Sequence, residues 1–202
     1  MKYPSGVRPF AQGKQANTFR KTKKAALSSG NRGMDFEAAL NESNAYYKER
    51  GLCLITKRPT PINVVKVDYT RGALITQAYF ETQSTTDYNG VCEGRYIDFE
   101  AKSTRSKTSF PLSNIPSQQI EHLKGVIAQS GIAFFLIHFD LLGKTFLVPA
   151  SEVIAFYESR PRASMPLSFI EEKGKPVAEG FNPRFNYLPV LKEVFFAEKK
   201  EQ

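Results

Sequence analysis

The sequence predicts an α/β domain with a mixed central sheet flanked by helices. Residues 95–102 alternate polar and apolar side chains, which is the period of a half-buried strand. Residues 132–139 are nearly all apolar, as expected for a strand that is covered on both faces. Upstream of both, apolar and small side chains recur at helical spacing: Phe36, Leu40, Ser43 and Tyr47. Helices that alternate with strands in this way favour a layered α/β fold over a bundle.

The first helix is predicted to begin after Gly33, with Asn31 or Gly33 as its cap. Gly51 stands where a helix commonly ends, because glycine adopts the left-handed conformation without strain. Glu37 lies in the first turn, where a carboxylate complements the positive end of the helix dipole.

Residues 57–80 are predicted to form a basic two-stranded hairpin inserted between core elements. Two alternating segments flank a turn signal at residues 70–72. An isolated hairpin is marginal in water, so its tip should become ordered only when something binds it. On the residues alone, an ordinary edge hairpin with no ligand role is the alternative. Its basic side chains are Lys57, Arg58, Lys66 and Arg71.

Gly90 and Gly94 predict a turn between the strand that carries Asp87 and the strand that carries Glu100. This arrangement would let the two carboxylates face each other from adjacent strands. Thr85 shares a face with Asp87, since side chains two residues apart on a strand point the same way.

The C-terminal half continues the alternation of helices and strands. A helix is predicted to open at Pro116 or Ser117, and residues 144–148 are predicted to form an edge strand. Ser151 can cap the next helix. From Glu171 onward the pattern indicates loops and short segments, with residues 187–197 as a final packed element.

The alternation at 95–102 predicts a chemically unusual strand face. Ile97, Phe99 and Ala101 would point into the core, and the other face would carry Tyr96, Asp98, Glu100 and Lys102. Carboxylate oxygens are the ligands that Mg²⁺ prefers, and a metal held this way can polarise a phosphoryl oxygen. Lys102 would reach the same phosphate as a point charge. A solvated strand face whose charges pair with neighbours is the alternative.

The net charge of +8 is concentrated near the N-terminus. Residues 1–34 contain eight Lys or Arg and no Asp or Glu, so the rest of the chain is balanced. We predict that residues 1–32 form a mobile basic arm that grips a polyanion. A solubilising tail is the alternative. The polar and basic segment at residues 103–109, including Arg105, also suits phosphate contacts, although a plain surface loop would look the same.

Cysteine, histidine and hydropathy patterns exclude several classes of protein. Cys53 and Cys92 offer no disulfide framework and too few thiolates for a zinc site. No secretory signal is recognised, and the longest apolar segment is too short to span a bilayer, so we expect a soluble protein of a reducing compartment. Two histidines support no histidine-based general base, and His122 is interpreted as a surface or capping residue.

Two segments together resemble a known active site: Ser84-Thr85-Thr86-Asp87-Tyr88 and Asp98-Phe99-Glu100-Ala101-Lys102. They are similar to the core of the PD-(D/E)XK nuclease superfamily and, more narrowly, to the RecU-type Holliday junction resolvases of Gram-positive bacteria. The resemblance extends to residues 30–34, to Glu37 and to residues 117–119, and it covers essentially the whole chain. Thr86 stands where the superfamily usually has proline, and the narrower family also has threonine there.

The resemblance implies a restriction-endonuclease-like fold and a Mg²⁺-dependent nuclease, with Mn²⁺ as a possible substitute. Asp87, Glu100 and Lys102 would be catalytic, and Thr85 and Gln119 would complete the oxygen ligands of the metal. In the resembled family an acidic residue of the first helix also approaches the metal, which is the second interpretation of Glu37.

The substrate implied is a four-way DNA junction, nicked symmetrically during recombination and repair in the bacterial cytoplasm, at the nucleoid. Two symmetric nicks require two active sites related by a dyad, so we expect a homodimer. Other recombination proteins are further candidate partners, and no membrane is involved. The hairpin would be a stalk that enters the junction, and the DNA contacts would come from Arg32, Lys57, Arg58, Lys66, Arg71 and Arg105. A duplex-specific repair nuclease of the same superfamily and a non-catalytic junction-binding protein are the alternatives.

Overall fold

The computed structural model describes residues 29–70, 72–80 and 85–197, with side chains from Asp35 onward. Most of the predicted arm (1–28) and the side chains of Arg32 and Arg71 lie outside this part. The helices are α1 (Ser29–Glu49), α2 (Ser117–Ala128), α3 (Ala150–Ser159), α4 (Leu167–Lys173) and α5 (Leu188–Phe195), with a 3-10 turn at Leu112–Asn114. The strands are β1 (Leu54–Lys57), β2 (Ile62–Asp68), β3 (Leu74–Phe80), β4 (Tyr88–Cys92), β5 (Arg95–Thr104), β6 (Ser109–Pro111), β7 (Ile132–Phe139), β8 (Lys144–Pro149), β9 (Ser164–Pro166), β10 (Lys175–Glu179) and β11 (Phe185–Asn186).

Seven strands form the central sheet in the order β1-β4-β5-β7-β8-β10-β11. Strands β5 and β7 run parallel, and the other neighbours in the sheet are antiparallel. The helix α2 makes the crossover that the parallel pair requires. The predicted α/β class with a mixed central sheet is therefore confirmed.

The sheet separates two apolar cores. One core packs α1 and α5 against the face that presents Phe99 and Phe134, whose rings stack 4.6 Å apart. The other core packs α2, α3 and α4 against the face that presents Phe135 and Ile137. The predicted stripe of α1 faces the first core, because Phe36, Leu40, Ser43 and Tyr47 are all buried.

Strands β2 and β3 form a separate antiparallel hairpin, as the sequence predicts. Among the described residues they pair with no other strand. Large apolar side chains are left open to solvent along the hairpin, and Leu74 and Phe80 are 64% and 78% exposed. At the end of β2, Oδ1 of Asp68 accepts a hydrogen bond from the backbone N–H of Thr70 at 2.9 Å.

The prediction that Gly90 belongs to a turn is wrong, because Gly90 lies within β4. The turn is formed by Glu93 and Gly94, which both have positive φ angles, 48° and 77°. Gly90 is needed for a different reason. A Cβ atom there would lie 2.0 Å from the carbonyl oxygen of Leu54 on the neighbouring strand. Only glycine permits this close approach of β4 and β1.

Three further predictions about helices and strands differ from the structure. Strand β8 is not an edge strand, because β10 pairs with it through Lys175–Leu147 and the residues that follow. The end of α4 and the strand β10 lie in the region from Glu171 onward that is predicted as loops and short segments, whereas α5 matches the packed element predicted at residues 187–197. Helix α1 begins at Ser29 rather than after Gly33, since its backbone continues through both glycines of this segment.

No helix in the described ranges has the length and apolarity needed to span a membrane.

Candidate active site

Asp87 and Glu100 meet at the end of the antiparallel pair β4–β5. Asp87 directly precedes β4, and the register places Tyr88 opposite Phe99. The backbone N–H of Asp87 donates to Oε2 of Glu100 at 3.1 Å. The structure thus brings Asp87 next to Glu100 through a contact of the Asp87 backbone, and Asp87 lies just before β4 rather than on it.

Glu100 is completely buried, and its other carboxylate oxygen contacts two more predicted residues. Nζ of Lys102 lies 2.5 Å from Oε1 of Glu100, and Nε2 of Gln119 donates to the same oxygen at 2.8 Å. Burial raises the pKa of Glu100 to about 8, with repulsion from Asp87 adding to the effect and Lys102 opposing it. The site thus holds a carboxyl group that is costly to ionise without a nearby positive charge.

The donors at this site fit a hard divalent cation. The Oε1 atom of Gln119 is buried and has no hydrogen-bond partner among the described residues, so it is an oxygen available for a ligand. Two carboxylates and a neutral oxygen are typical of the incomplete protein shell that Mg²⁺ accepts, since Mg²⁺ usually keeps several waters. The part of the chain that the structure describes has no group of three or more His, Cys, Asp or Glu side chains suited to a metal. A cation here would therefore depend on amide and threonine oxygens as well as on Asp87 and Glu100.

Thr85 and Glu37 are two further residues of the predicted site. Thr85 is half-buried at the start of the segment that leads into β4. Glu37 forms an ion pair with Lys57, and its backbone carbonyl accepts the hydroxyl of Tyr88 at 3.2 Å. A contact between Glu37 and the cation site therefore stays a prediction.

The expected half-buried character of β5 is wrong, because both of its faces are covered. Asp98 and Glu100 are each 0% exposed. The helix α2 lies over the polar face and places Gln119 and His122 against it. The strand face is polar, as the alternation predicts, but it is an interior face rather than a solvated one.

Asp98, which the alternation predicts on the same strand face as Glu100, is the centre of a second buried polar cluster. Its Oδ2 accepts hydrogen bonds from Arg58 Nη2 at 2.7 Å and from the Tyr96 hydroxyl at 2.8 Å. His122 Nε2 lies 2.9 Å from the same oxygen, and the Thr86 hydroxyl donates to Oδ1. The interpretation of His122 as a surface or capping residue is wrong. The available signal was its spacing of three residues from Gln119, which puts both on one face of α2.

The predicted DNA contacts have different surroundings. Lys66 and Arg105 are exposed, on the hairpin and on the loop after β5 respectively. Lys57 is paired with Glu37, at the base of the hairpin. Arg58 has its guanidinium held against Asp98, and its side chain is 18% exposed. Arg58 therefore connects the hairpin to the interior, in addition to any contact it makes with DNA.

Comparisons with known proteins agree with this picture. The model of the family described as "Recombination protein U" matches residues 31–193. A protein named Holliday junction resolvase RecU from Geobacillus kaustophilus is 45% identical over 201 residues, covering 97% of this chain and 98% of that protein. A protein of the same name from Streptococcus uberis is 47% identical over 188 residues, covering 91% and 93%.

A solved structure is also similar, namely Hjc from Archaeoglobus fulgidus, described as a Holliday junction resolvase. It has a TM-score of 0.42 and 10% identity, over 71% of this chain and 94% of that chain. The family match spans both strands of the site and the helix that covers them, and the two relatives cover nearly the full length. The chain belongs to the Recombination protein U family.

Proposed function

We propose that this protein is a Mg²⁺-dependent endonuclease that resolves Holliday junctions. The names of its relatives support this function, and so does the chemistry of the site. The single observation that carries the proposal is the environment of Glu100. This buried carboxyl lies beside Asp87, between the amine of Lys102 and the amide of Gln119.

The cation would be held by Asp87, Glu100, Gln119 and Thr85, with Mn²⁺ as a possible substitute for Mg²⁺. A divalent cation held there would polarise a phosphoryl oxygen and lower the pKa of a bound water. Because Glu100 is buried, electrostatic interactions within the site are stronger than they would be in bulk water. The unpartnered Oε1 of Gln119 is the strongest support for its place in this set.

Lys102 would stabilise the charge that develops on the phosphate. Its side chain is 21% exposed, so Nζ can contact both Glu100 and a DNA strand at the surface. An amine placed beforehand beside the reacting group needs little reorganisation during the reaction, which is why such groups accelerate it. Glu100 would hold the amine of Lys102 in place by the ion pair.

DNA binding would depend mainly on charge. The basic arm with Arg32 and the exposed Arg105 would contact phosphates, and the hairpin would enter the junction with Lys66 and Arg71. Lys57 and Arg58 would act at the base of the hairpin, where their ion pairs with Glu37 and Asp98 attach it to the rest of the domain. Affinity of this kind falls steeply with salt, because each neutralised phosphate releases counterions.

The biological setting is part of the same proposal. Resolution of a junction into two intact duplexes requires paired nicks in two like strands, and hence a homodimer with two active sites. The protein would act in homologous recombination and DNA repair at the bacterial nucleoid, with other recombination proteins as partners.

The test uses the purified full-length protein with a labelled four-way junction and a linear duplex of the same sequence. We expect paired nicks in the junction only, and only when Mg²⁺ or Mn²⁺ is present. Equal cutting of the duplex would instead indicate a general repair nuclease. Junction binding without any nicking, in either metal, would indicate an architectural protein.

A further inference from the structure

A basic groove lies outside the cation site and is not explained by it. The groove encloses about 680 Å³ between the first turn of α2 and the end of α3. Its polar lining residues are Ser113, Ser117, Gln118, Tyr157, Arg160 and Arg162. None of the described residues that line it is acidic.

The two arginines of the groove are available to an anionic ligand. Both are exposed, and neither forms an ion pair with an acidic side chain within the described ranges. The guanidinium of Arg160 lies over the ring of Tyr157, with 4.9 Å between its central carbon and the ring centroid. This stacking reduces the conformational freedom of the Arg160 side chain. Arginine in this state is well suited to bidentate contacts with phosphate.

The first turn of α2 links the groove to the candidate cation site. Gln118 and Gln119 are consecutive residues in the first turn of α2. The side chain of Gln119 reaches Glu100, whereas Gln118 is exposed and lines the groove. One turn of helix therefore contributes a residue to each of the two features.

We propose that the groove binds the DNA phosphate backbone next to the scissile phosphate, through Arg160 and Arg162. The inference rests on the proposed function, because it assumes that DNA occupies the Asp87–Glu100 site. It adds phosphate contacts from residues outside both the candidate cation site and the buried Asp98 cluster. The hydroxyl groups of Ser113 and Ser117 are further donors for phosphate oxygens.

The test compares two matched double variants of the full-length protein. The first is Arg160→Asn with Arg162→Gln, because asparagine tolerates the left-handed backbone at residue 160, where φ is 39°. The control is Lys48→Gln with Arg50→Gln at the end of α1. It removes the same charge, and Arg50 also stacks on a tyrosine, with its central carbon 4.3 Å from the ring centroid of Tyr46.

Binding to a four-way junction is measured without divalent cations at a series of salt concentrations. The groove variant should bind about tenfold more weakly, and its slope of log affinity against log salt should fall by about one per lost phosphate contact. The control should keep the wild-type slope. Methylphosphonates remove the charge of the phosphates that they replace. A junction that carries them beside the scissile phosphate should bind the wild-type protein more weakly and should bind the groove variant with almost unchanged affinity.

The outcomes separate this inference from the proposed function. If a folded groove variant binds junctions with the wild-type affinity and the wild-type salt dependence, the proposed role of the groove is wrong, even if the protein nicks junctions normally. A change in oligomeric state without a change in slope would also overturn it and indicate a surface for a second copy. If the wild-type protein never nicks junctions but the groove variant still loses salt-dependent DNA binding, the groove is supported as a DNA-binding surface and the proposed resolvase function is wrong.

Discussion

Arg58 and Asp98 form an ion pair of 2.7 Å that ties the base of the hairpin to the strand carrying Glu100. The backbone N–H of Arg58 also donates to the carbonyl of Asp87 at 2.8 Å. One residue thus contacts both the segment that bears Asp87 and the buried face of β5. The pair connects the part expected to enter the junction with the part expected to cut it.

Substitution of Asp98 should destabilise the protein. Asp98→Asn removes the charge that balances Arg58 and leaves an amide among groups that donate to a carboxylate. We expect a loss of about 3 kcal/mol in the free energy of unfolding, measured by urea titration, because one partner of a buried pair is removed. Asp35→Asn, at an exposed position, is the control and should stay within about 0.5 kcal/mol. A similarly small effect for Asp98→Asn would contradict the structural role.

Substitution of Glu100 should separate binding from cutting. Glu100→Gln keeps the shape of the side chain but removes a charged ligand of the cation, so junction binding should persist while Mg²⁺-dependent nicking falls by at least about 10²-fold. Rates are measured with enzyme in excess over labelled junction. Glu121→Gln is the control on α2, where Glu121 is 70% exposed and pairs with Lys124. Unchanged nicking by Glu100→Gln would remove Glu100 from the site.

Neutralising the hairpin should affect junctions more than duplex DNA. Lys66→Gln with Arg71→Gln removes two positive charges that would contact phosphates only when the hairpin enters a junction. The slope of log junction affinity against log salt should fall by about one for each lost phosphate contact. Lys144→Gln with Lys175→Gln is the control, since these exposed lysines pair with Glu171 and Glu193 near β8 and β10. Equal losses for junction and duplex would argue against a hairpin that recognises the crossover.

Adding a single methyl group at residue 90 should be costly. Gly90→Ala would push β4 away from β1, because backbone atoms of Leu54 and Ile55 lie within 3 Å of the new Cβ. We expect a loss of about 1–3 kcal/mol or more, measured by thermal and urea unfolding. Gly125→Ala in α2, where nothing lies within 4 Å, should instead be neutral or stabilising by up to about 1 kcal/mol. Equal behaviour of the two variants would contradict the close approach.

The stability of the protein should fall in mild acid because of His138. Burial lowers the pKa of His138 below its usual 6.5, although Glu179 and Asp140 oppose this and Arg184 supports it. Below pH 6.5 the unfolded chain binds a proton at His138 that the folded chain does not bind, so stability rises with pH in this window. The slope is at most about 1.4 kcal/mol per pH unit. His138→Gln should reduce that slope below pH 6.5 and leave it unchanged above pH 7, as measured by urea unfolding at each pH.

Much of the fold could be predicted because it depends on local periodicity. The stripe of α1 and the bounds of β7 follow directly from side-chain spacing. The role of Gly90 could not be predicted, because it arises from the distance between two strands that are far apart in sequence. Strand β10 has few apolar residues and becomes a strand through its pairing with β8.

The sequence by itself determined the α/β class and the family resemblance, and it predicted the residues that we propose to hold the cation. These depend on residue chemistry and on spacing along the chain, and both can be read without coordinates. Only the tertiary structure decided which charges are buried. Because α2 covers the polar face of β5, Glu100 and Asp98 both lose contact with water. Asp98 then needs Arg58, Thr86 and His122, which come from three separate segments of the chain.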